Sequence, residues 1–587
     1  MKFKNIFLIF GLSLLVWGCD KDFLEVTPQA SMIDEEYWTN ESNIETFAFD
    51  FYPAYFTGYG SGYAWGKFFS GEAFNDDFAA TSPPVFTSSV PTTANPASGW
   101  TFTWVRKANI FIDRVQNSPI DDNAKEHWVG VGRFFRGMEY KDLVQRFGDV
   151  PWFDEELTEE EEEEIYKPRD EREFVMDRVL EDFQYAAANV REDARVNGLM
   201  VNRDVVLGFM SRVFLFEGTW QKYHEGNTEK AREYLEAAKW AANEIITGGN
   251  YSLGDYRDVF SSISLANNPE VILYREYESG VLTHSLMSYN NRGEPQTGVS
   301  KDAIDSYLTE NGLPIDQDPV YQGDQGIDNV MANRDPRLYA TIVSDTLRIN
   351  GVHSSYSTTG FATHKFLNED IKDTQEGFSS LNITDSPVLR YGEVLMNYAE
   401  AAAELATVGG AGITQEDLNK SINVLRARPG IEMPPLQLSG DLPAVNGTVI
   451  EDPERDPDVS PLLWEIRRER RVELMMEGFR NDDLKRWAKF EYLDMVDNYE
   501  INMGAWIDKS DYEPEDPELD NPVEGLVLVD QNGNVVSGNQ GYIKPATAES
   551  TIRRFEDPRV YLRPIPLNQI TLYSDFGVTL EQNPGWN

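Results

Sequence analysis

The chain has 587 residues, 41% apolar and 12% aromatic, with 99 acidic against 52 basic residues and a formal net charge of −47. That composition is globular, not disordered. The negative field repels phosphate backbones and anionic headgroups, which argues against nucleic acid and against basic-patch adhesion to lipid, and it favours a neutral over a strongly anionic polysaccharide.

At the N-terminus, Lys2 and Lys4 precede an apolar run from Ile6 to Val16, followed by Trp17-Gly18-Cys19. This is the layout of a secretory signal, and the run is shorter than the roughly 20 residues a membrane-spanning helix needs. Cys19, the only cysteine, is read as the nucleophile that receives a lipid anchor once residues 1–18 are removed. Trp17 departs from the small residue usual two places before such a cysteine. Asp20-Lys21-Asp22 opens an acidic tether within 19–50. Residues 51–100 are rich in Gly, Ser, Thr, Pro and aromatics, a pattern of loops and short turns.

Helical periodicity dominates 101–250. Helices are expected at 124–147 (ended by Gly148 and Pro151), 171–190, 203–218 and 228–247. In the last, Ala231, Tyr234, Leu235, Ala238, Ala242 and Ile245 share one face, and its alanines allow a close neighbour. The run Glu159–Glu164 reads as a solvated insertion. Residues 251–385 form an irregular insert with short strands and turns. Helices return in 386–587, at 387–406, 414–427 and 459–489, with Asp/Pro/Gly-rich 436–460 and acidic 509–550 as further inserts. Asn532-Gly533 predicts a β-hairpin turn between Leu526–Val529 and Val535-Val536. The fold class is mostly α: helix pairs resembling tetratricopeptide units, without a strict 34-residue period, joined to a loop-rich region carrying short hairpins.

Glu469, Glu473 and Glu477 recur every four residues, on one helical face, where like charges repel unless cations intervene. They predict an ion-pair network, with Arg470, Arg471 and Arg480 close in sequence. A catalytic carboxylate site is the competing reading. His127, His224, His284, His353 and His364 form no metal-binding pattern. Asp316, Asp318, Asp324 and Asp328 do not match a calcium loop, and neither a nucleophile elbow nor a P-loop occurs. No catalytic residue, metal ligand or cofactor is assigned.

Five segments carry a resemblance. They are Arg133-Phe134-Phe135-Arg136-Gly137-Met138-Glu139-Tyr140 running on to Phe147-Gly148-Asp149-Val150-Pro151; Asn333-Arg334-Asp335-Pro336-Arg337; Leu389-Arg390-Tyr391 through Tyr398-Ala399-Glu400-Ala401; Ile466-Arg467-Arg468-Glu469-Arg470 on to Arg486-Trp487; and Tyr561-Leu562-Arg563-Pro564-Ile565-Pro566 with Gln582-Asn583-Pro584-Gly585-Trp586. Together, in this order behind the lipid-anchor signal, they resemble the SusD/RagB family of surface glycan-binding lipoproteins. The resemblance implies a single composite fold over 19–587 and a tetratricopeptide-like scaffold. It implies delivery of oligo- or polysaccharide to a SusC-like TonB-dependent barrel, over which the protein acts as a lid on the outer membrane's external face, and it implies no catalysis. A protein–protein adaptor without sugar affinity is the alternative, and a surface glycoside hydrolase a distant third.

A sugar binder needs flat aromatic rings for apolar C–H faces and short polar side chains for hydroxyls, on exposed loops. Tyr63 and Trp65, with Asn75, Asp76 and Asp77 downstream, fit that description, as do Tyr289, Asn290 and Arg292. Trp100, opening a helix, is a further candidate that core packing also explains.

Overall fold

The computed structural model describes residues 37–66, 74–94, 99–158, 160–193, 196, 198–292, 298–512 and 521–586. Cys19 and the signal segment lie outside these residues. Six long helices in chain order form the backbone of the structure: α1 (Thr103–Gln116), α2 (Asp122–Phe147), α3 (Arg172–Asn189), α4 (Arg203–Trp220), α5 (Thr228–Gly248) and α6 (Tyr391–Leu405). Each packs on the next, and α6 then packs on α7 (Pro461–Glu473). This serial stack is the expected arrangement of helix pairs.

Local chemistry sets the helix ends. Asp121 caps α2 by accepting the Ala124 N–H at 3.1 Å, and Gly148 ends it at φ +75°. Asn227 caps α5 through the Lys230 N–H, and Gly249 closes it in the left-handed region. The predicted apolar face of α5 is buried along its whole length. Each large side chain in it, such as Leu235 or Ile245, contributes roughly 1.5–3 kcal/mol by leaving water. Close approach of α2 to both neighbours depends on two missing side chains. A Cβ at Gly132 would lie 2.7 Å from Ile112 on α1, and one at Gly137 would lie 2.9 Å from Phe183 on α3.

Three expected helices are interrupted. Residues 386–390 form a strand, β4, paired antiparallel with β2 (Val271–Arg275), so the helix expected from 387 begins at Tyr391. The 414–427 segment divides into Gln415–Asn419 and Ile422–Arg426 around Ser421. The 459–489 segment breaks after Glu473, where Met476 and Gly478 take positive φ, and resumes as α8 (Arg480–Arg486). Two residues each from Phe78–Ala79 (β1) and Gly298–Val299 (β3) pair across the irregular half. Gly533 does turn the chain, with Val529 bridged to Val535, but the main partner of Leu528–Val529 is Gln540–Ile543. The acidic run ends in a short exposed helix, Glu162–Ile165.

The carboxylates of the 465–477 segment form a buried ion-pair network, and most of its cations come from distant parts of the chain. Arg337 Nη1 reaches Glu469 at 2.7 Å and Glu473 at 3.1 Å. Arg390 Nη1 reaches Glu270 and Glu473 at 2.8 Å each, and its other nitrogens fork onto Glu477 at 2.7 Å. Arg426 holds Glu465 and Glu469, Arg428 holds Glu270 and Glu473, and Lys365 holds Glu477. Of the arginines nearest in sequence, Arg468 holds Glu465 at 3.1 Å, but Arg470 pairs with Asp483, Arg471 with Asp77 and Arg480 with Asp76. Burial alone would push Glu473 upward, but Arg428, Arg390 and Arg337 outweigh it and hold it at about 2. Three of the resembling segments, around Arg337, Arg390 and Glu469, thus meet in one buried lattice.

Candidate functional site

An exposed aromatic cluster lies where three loops of the irregular half meet. The first is the sequence Gly58-Tyr59-Gly60-Ser61-Gly62-Tyr63-Ala64-Trp65-Gly66. Ser61 and Ala64 exchange both backbone hydrogen bonds, at 2.8 and 2.9 Å, closing a very tight knuckle. The closure demands glycine at two places. Gly60 has φ +91°, and a Cβ at Gly66 would run into the Gly58 carbonyl oxygen. The knuckle leaves Tyr63 64% exposed at its tip and Trp65 half-buried beside it.

The second loop, 278–292, brings Tyr289 between them. Its ring centroid lies 6.1 Å from Tyr63 at an interplanar angle of 84° and 5.9 Å from Trp65 at 61°. Edge-to-face contacts of this kind hold rings in fixed relative orientation. Trp65 Nε1 donates to Ser285 Oγ at 2.9 Å. The third loop, 374–384, contributes Ser379, which hydrogen-bonds the Tyr63 hydroxyl. The loops are laced together where Gly62 N donates to the Thr283 carbonyl at 2.8 Å and Thr283 Oγ1 to the Ser380 carbonyl at 2.6 Å. Val281, Phe378 and Leu381 stand exposed on the same two loops.

Beneath the rings the support is rigid. Tyr59 and Tyr277 are buried, donating to the Phe260 and Gly60 carbonyls at 2.8 Å each. His284 lies between them, and burial pushes its pKa down to about 3. Its Nδ1 accepts the Leu286 N–H at 3.1 Å, so the neutral ring donates from Nε2 to the Thr384 carbonyl at 3.0 Å. Asn382 accepts from Ser288 N and Oγ and donates to the Glu376 carbonyl, tying the second loop to the third. Asn290 is the exception. Only 7% exposed, its side-chain Nδ2 has no hydrogen-bond partner among the described residues. A buried amide donor left unmade costs about 1–3 kcal/mol, and an arriving acceptor would recover it.

Of the nine candidate residues, Tyr63, Trp65, Tyr289 and Asn290 are brought together. The Arg292 side chain lies outside the described ones. Asn75, Asp76 and Asp77 do not flank the aromatics on an exposed loop. Each is 2% exposed. Asp76 is forked by Arg480 at 2.6 and 2.8 Å, Asp77 takes Arg471 Nε at 2.8 Å, and Asn75 Oδ1 accepts the Asp77 N–H. They sit where α7 and α8 need counter-charges. Trp100 is buried as well, edge-on to Phe102 at 5.7 Å and to Phe147 at 5.0 Å, with its ring in the core. Sequence reasoning missed Ser285, Ser379 and the apolar rim of Val281, Phe378 and Leu381. The aromatics beside short polar residues at 63–65 and 289–290 were the signal that found the rest of the site.

Comparison with known proteins gives a consistent result. The model of the SusD family matches residues 269–586. "SusD-like protein P38" of Formosa agariphila is 25% identical over 524 residues, 83% of this chain and 92% of that one. A SusD-like carbohydrate-binding protein from Bacteroides fragilis superposes with a TM-score of 0.67 at 22% identity, covering 91% of this chain and 99% of its own. A laminarin-binding SusD-like protein superposes at 0.55 and 17% identity, covering 93% of this chain and all of its own.

Proposed function

Because the chain belongs to the SusD family, we propose that it is a non-catalytic, cell-surface glycan-binding lipoprotein. It captures a neutral oligo- or polysaccharide and delivers it to a SusC-like TonB-dependent barrel in the outer membrane. Cys19, outside the described residues, is the anchor in this reading. The observation that carries it is the platform of Tyr63, Trp65 and Tyr289, with the unpartnered amide of Asn290 beside Tyr289. Flat rings take the apolar faces of pyranoses and the amide takes a hydroxyl. The laminarin-binding protein of the same fold makes β-glucans the first ligands to try.

The test is calorimetric titration with neutral and anionic polysaccharides, alongside assay of reducing ends for turnover. Binding of a neutral glycan without cleavage is expected. The Trp65→Ala/Tyr289→Ala pair should weaken it by about 2 kcal/mol or more, roughly 30-fold, as for truncated aromatic anchors. Absence of binding across the panel would favour a protein–protein adaptor, and cleavage would favour a hydrolase.

A further inference from the structure

The helical stack carries a cleft of about 320 Å³ between α5 and the end of α6. One wall is a stripe of α5 spaced three and four residues apart: Glu236, Lys239, Trp240 and Asn243. Tyr398 and Leu405 of α6, both buried, form the floor. Ala411, from the glycine-flanked loop after α6, completes the lining.

The floor is electrostatically closed. Tyr398 hydrogen-bonds Asp417, Lys239 lies 3.4 Å from Asp417, and Lys420 sits 4.5 Å over the Tyr398 ring while donating to Asn243 Oδ1 at 3.1 Å. The rim is open. Trp240 is 43% exposed on a helix whose other large apolar residues face inward. Its indole N–H, the Asn243 amide N–H groups and the Glu236 carboxylate have no protein partner among the described residues. An exposed indole in a concavity, flanked by one acceptor and two kinds of donor over a floor whose charged groups are already partnered, suits a neutral hydroxylated ring. A charged ligand would find Lys239 already paired with Asp417, and Lys420 held by Asn243 Oδ1 and the Tyr398 ring.

We propose that this cleft is a second saccharide site, taking a single pyranose stacked on Trp240 with its hydroxyls on Glu236 and Asn243. It does not depend on the loop platform, because the two sites share no residue. Together they would hold a polymer at two points of one molecule.

The test is ¹⁹F NMR of the purified full chain labelled with 5-fluorotryptophan, with Trp240→Phe and Trp65→Phe assigning two of the 13 tryptophan signals. The probes are laminarihexaose, maltohexaose, xylohexaose and mannohexaose, each to 20 mM. A saturable shift of the Trp240 signal with at least one probe is expected, and it should persist in Tyr63→Ala/Tyr289→Ala. A Trp65 response without a Trp240 response overturns the second site and leaves the loop platform standing. A Trp240 response alone supports the second site and removes the platform. Silence of both signals overturns both, and a Trp240 signal that moves only on addition of the membrane barrel marks a protein-docking face and overturns the saccharide assignment.

Discussion

Replacing Arg390 by Met tests whether the buried network carries the fold. Arg390 is 2% exposed and makes five hydrogen bonds, to Glu270 Oε1, Glu473 Oε1, the Glu473 carbonyl and both oxygens of Glu477. Methionine fills the volume but leaves three buried carboxylates short of charge. Glu270 keeps Arg428, and Glu473 keeps Arg428 and Arg337, whereas among the described residues Glu477 keeps only Lys365. Breaking such a pair from one side costs about 3–5 kcal/mol, against a whole-domain stability of about 5–15 kcal/mol. Urea unfolding at pH 7, followed by far-ultraviolet circular dichroism, should show that loss in Arg390→Met. Adding Glu477→Gln should recover part of it, because the worst-stranded charge is gone. A variant within about 0.5 kcal/mol of the parent, the range of an ordinary surface change, would refute the reasoning. So would a double variant no more stable than the single one.

The network also predicts acid behaviour. Glu473 and Glu400 are held at about 2 by their arginines against the upward push of burial. Their contribution is full above the unfolded glutamate value of about 4.3, and is lost as pH falls from there through about 2; melting temperature should drop steeply over that window. Asp76→Ala should destabilise by about 3–5 kcal/mol, since Arg480 and Arg471 lose a buried partner, while glycan affinity of the folded protein, by calorimetry, stays at the parent value. Gly66→Ala should do the reverse: the knuckle cannot close over the Gly58 carbonyl, so affinity should fall by roughly tenfold or more, about 1.4 kcal/mol, with the melting temperature of the helical stack unchanged.

The helical half was legible because its cause is local. The α5 stripe, the Asn227 cap and Gly248-Gly249 can all be read within one segment, and the structure places that helix within a residue of the expected bounds. The breaks at 386–390 and after Glu473 were hidden because their causes are remote. The first needs the pairing with Val271–Arg275, and the second positions Glu477 against Lys365 and Arg390. The same blindness affected the site. Asp76 and Asp77 look in sequence like short polar groups on a loop, and only their contact with residues nearly 400 positions away makes them counter-ions. Tyr63 and Trp65 were recognisable because they are aromatics in a stretch whose composition already reads as loop.

The network's connectivity has a consequence for how the chain reaches its fold. Helices α1 to α5 follow one another and pack on their immediate neighbours, so they can assemble as soon as they are made. The lattice cannot: Glu270, Arg337, Lys365, Arg390, Arg428 and Glu473 are spread over some 200 residues. Long loops must close before any of these contacts is rewarded, which makes such pairings slow. Until Glu473 and Glu477 arrive, Arg337 has Asp335, and Arg390 and Arg428 share Glu270, but the lattice is incomplete and Lys365 lacks its Glu477 partner. The loop platform is built on the irregular half, so it is expected to order after the helical stack. A chain cut short before residue 465 would keep its early helices and lose the surface they exist to support.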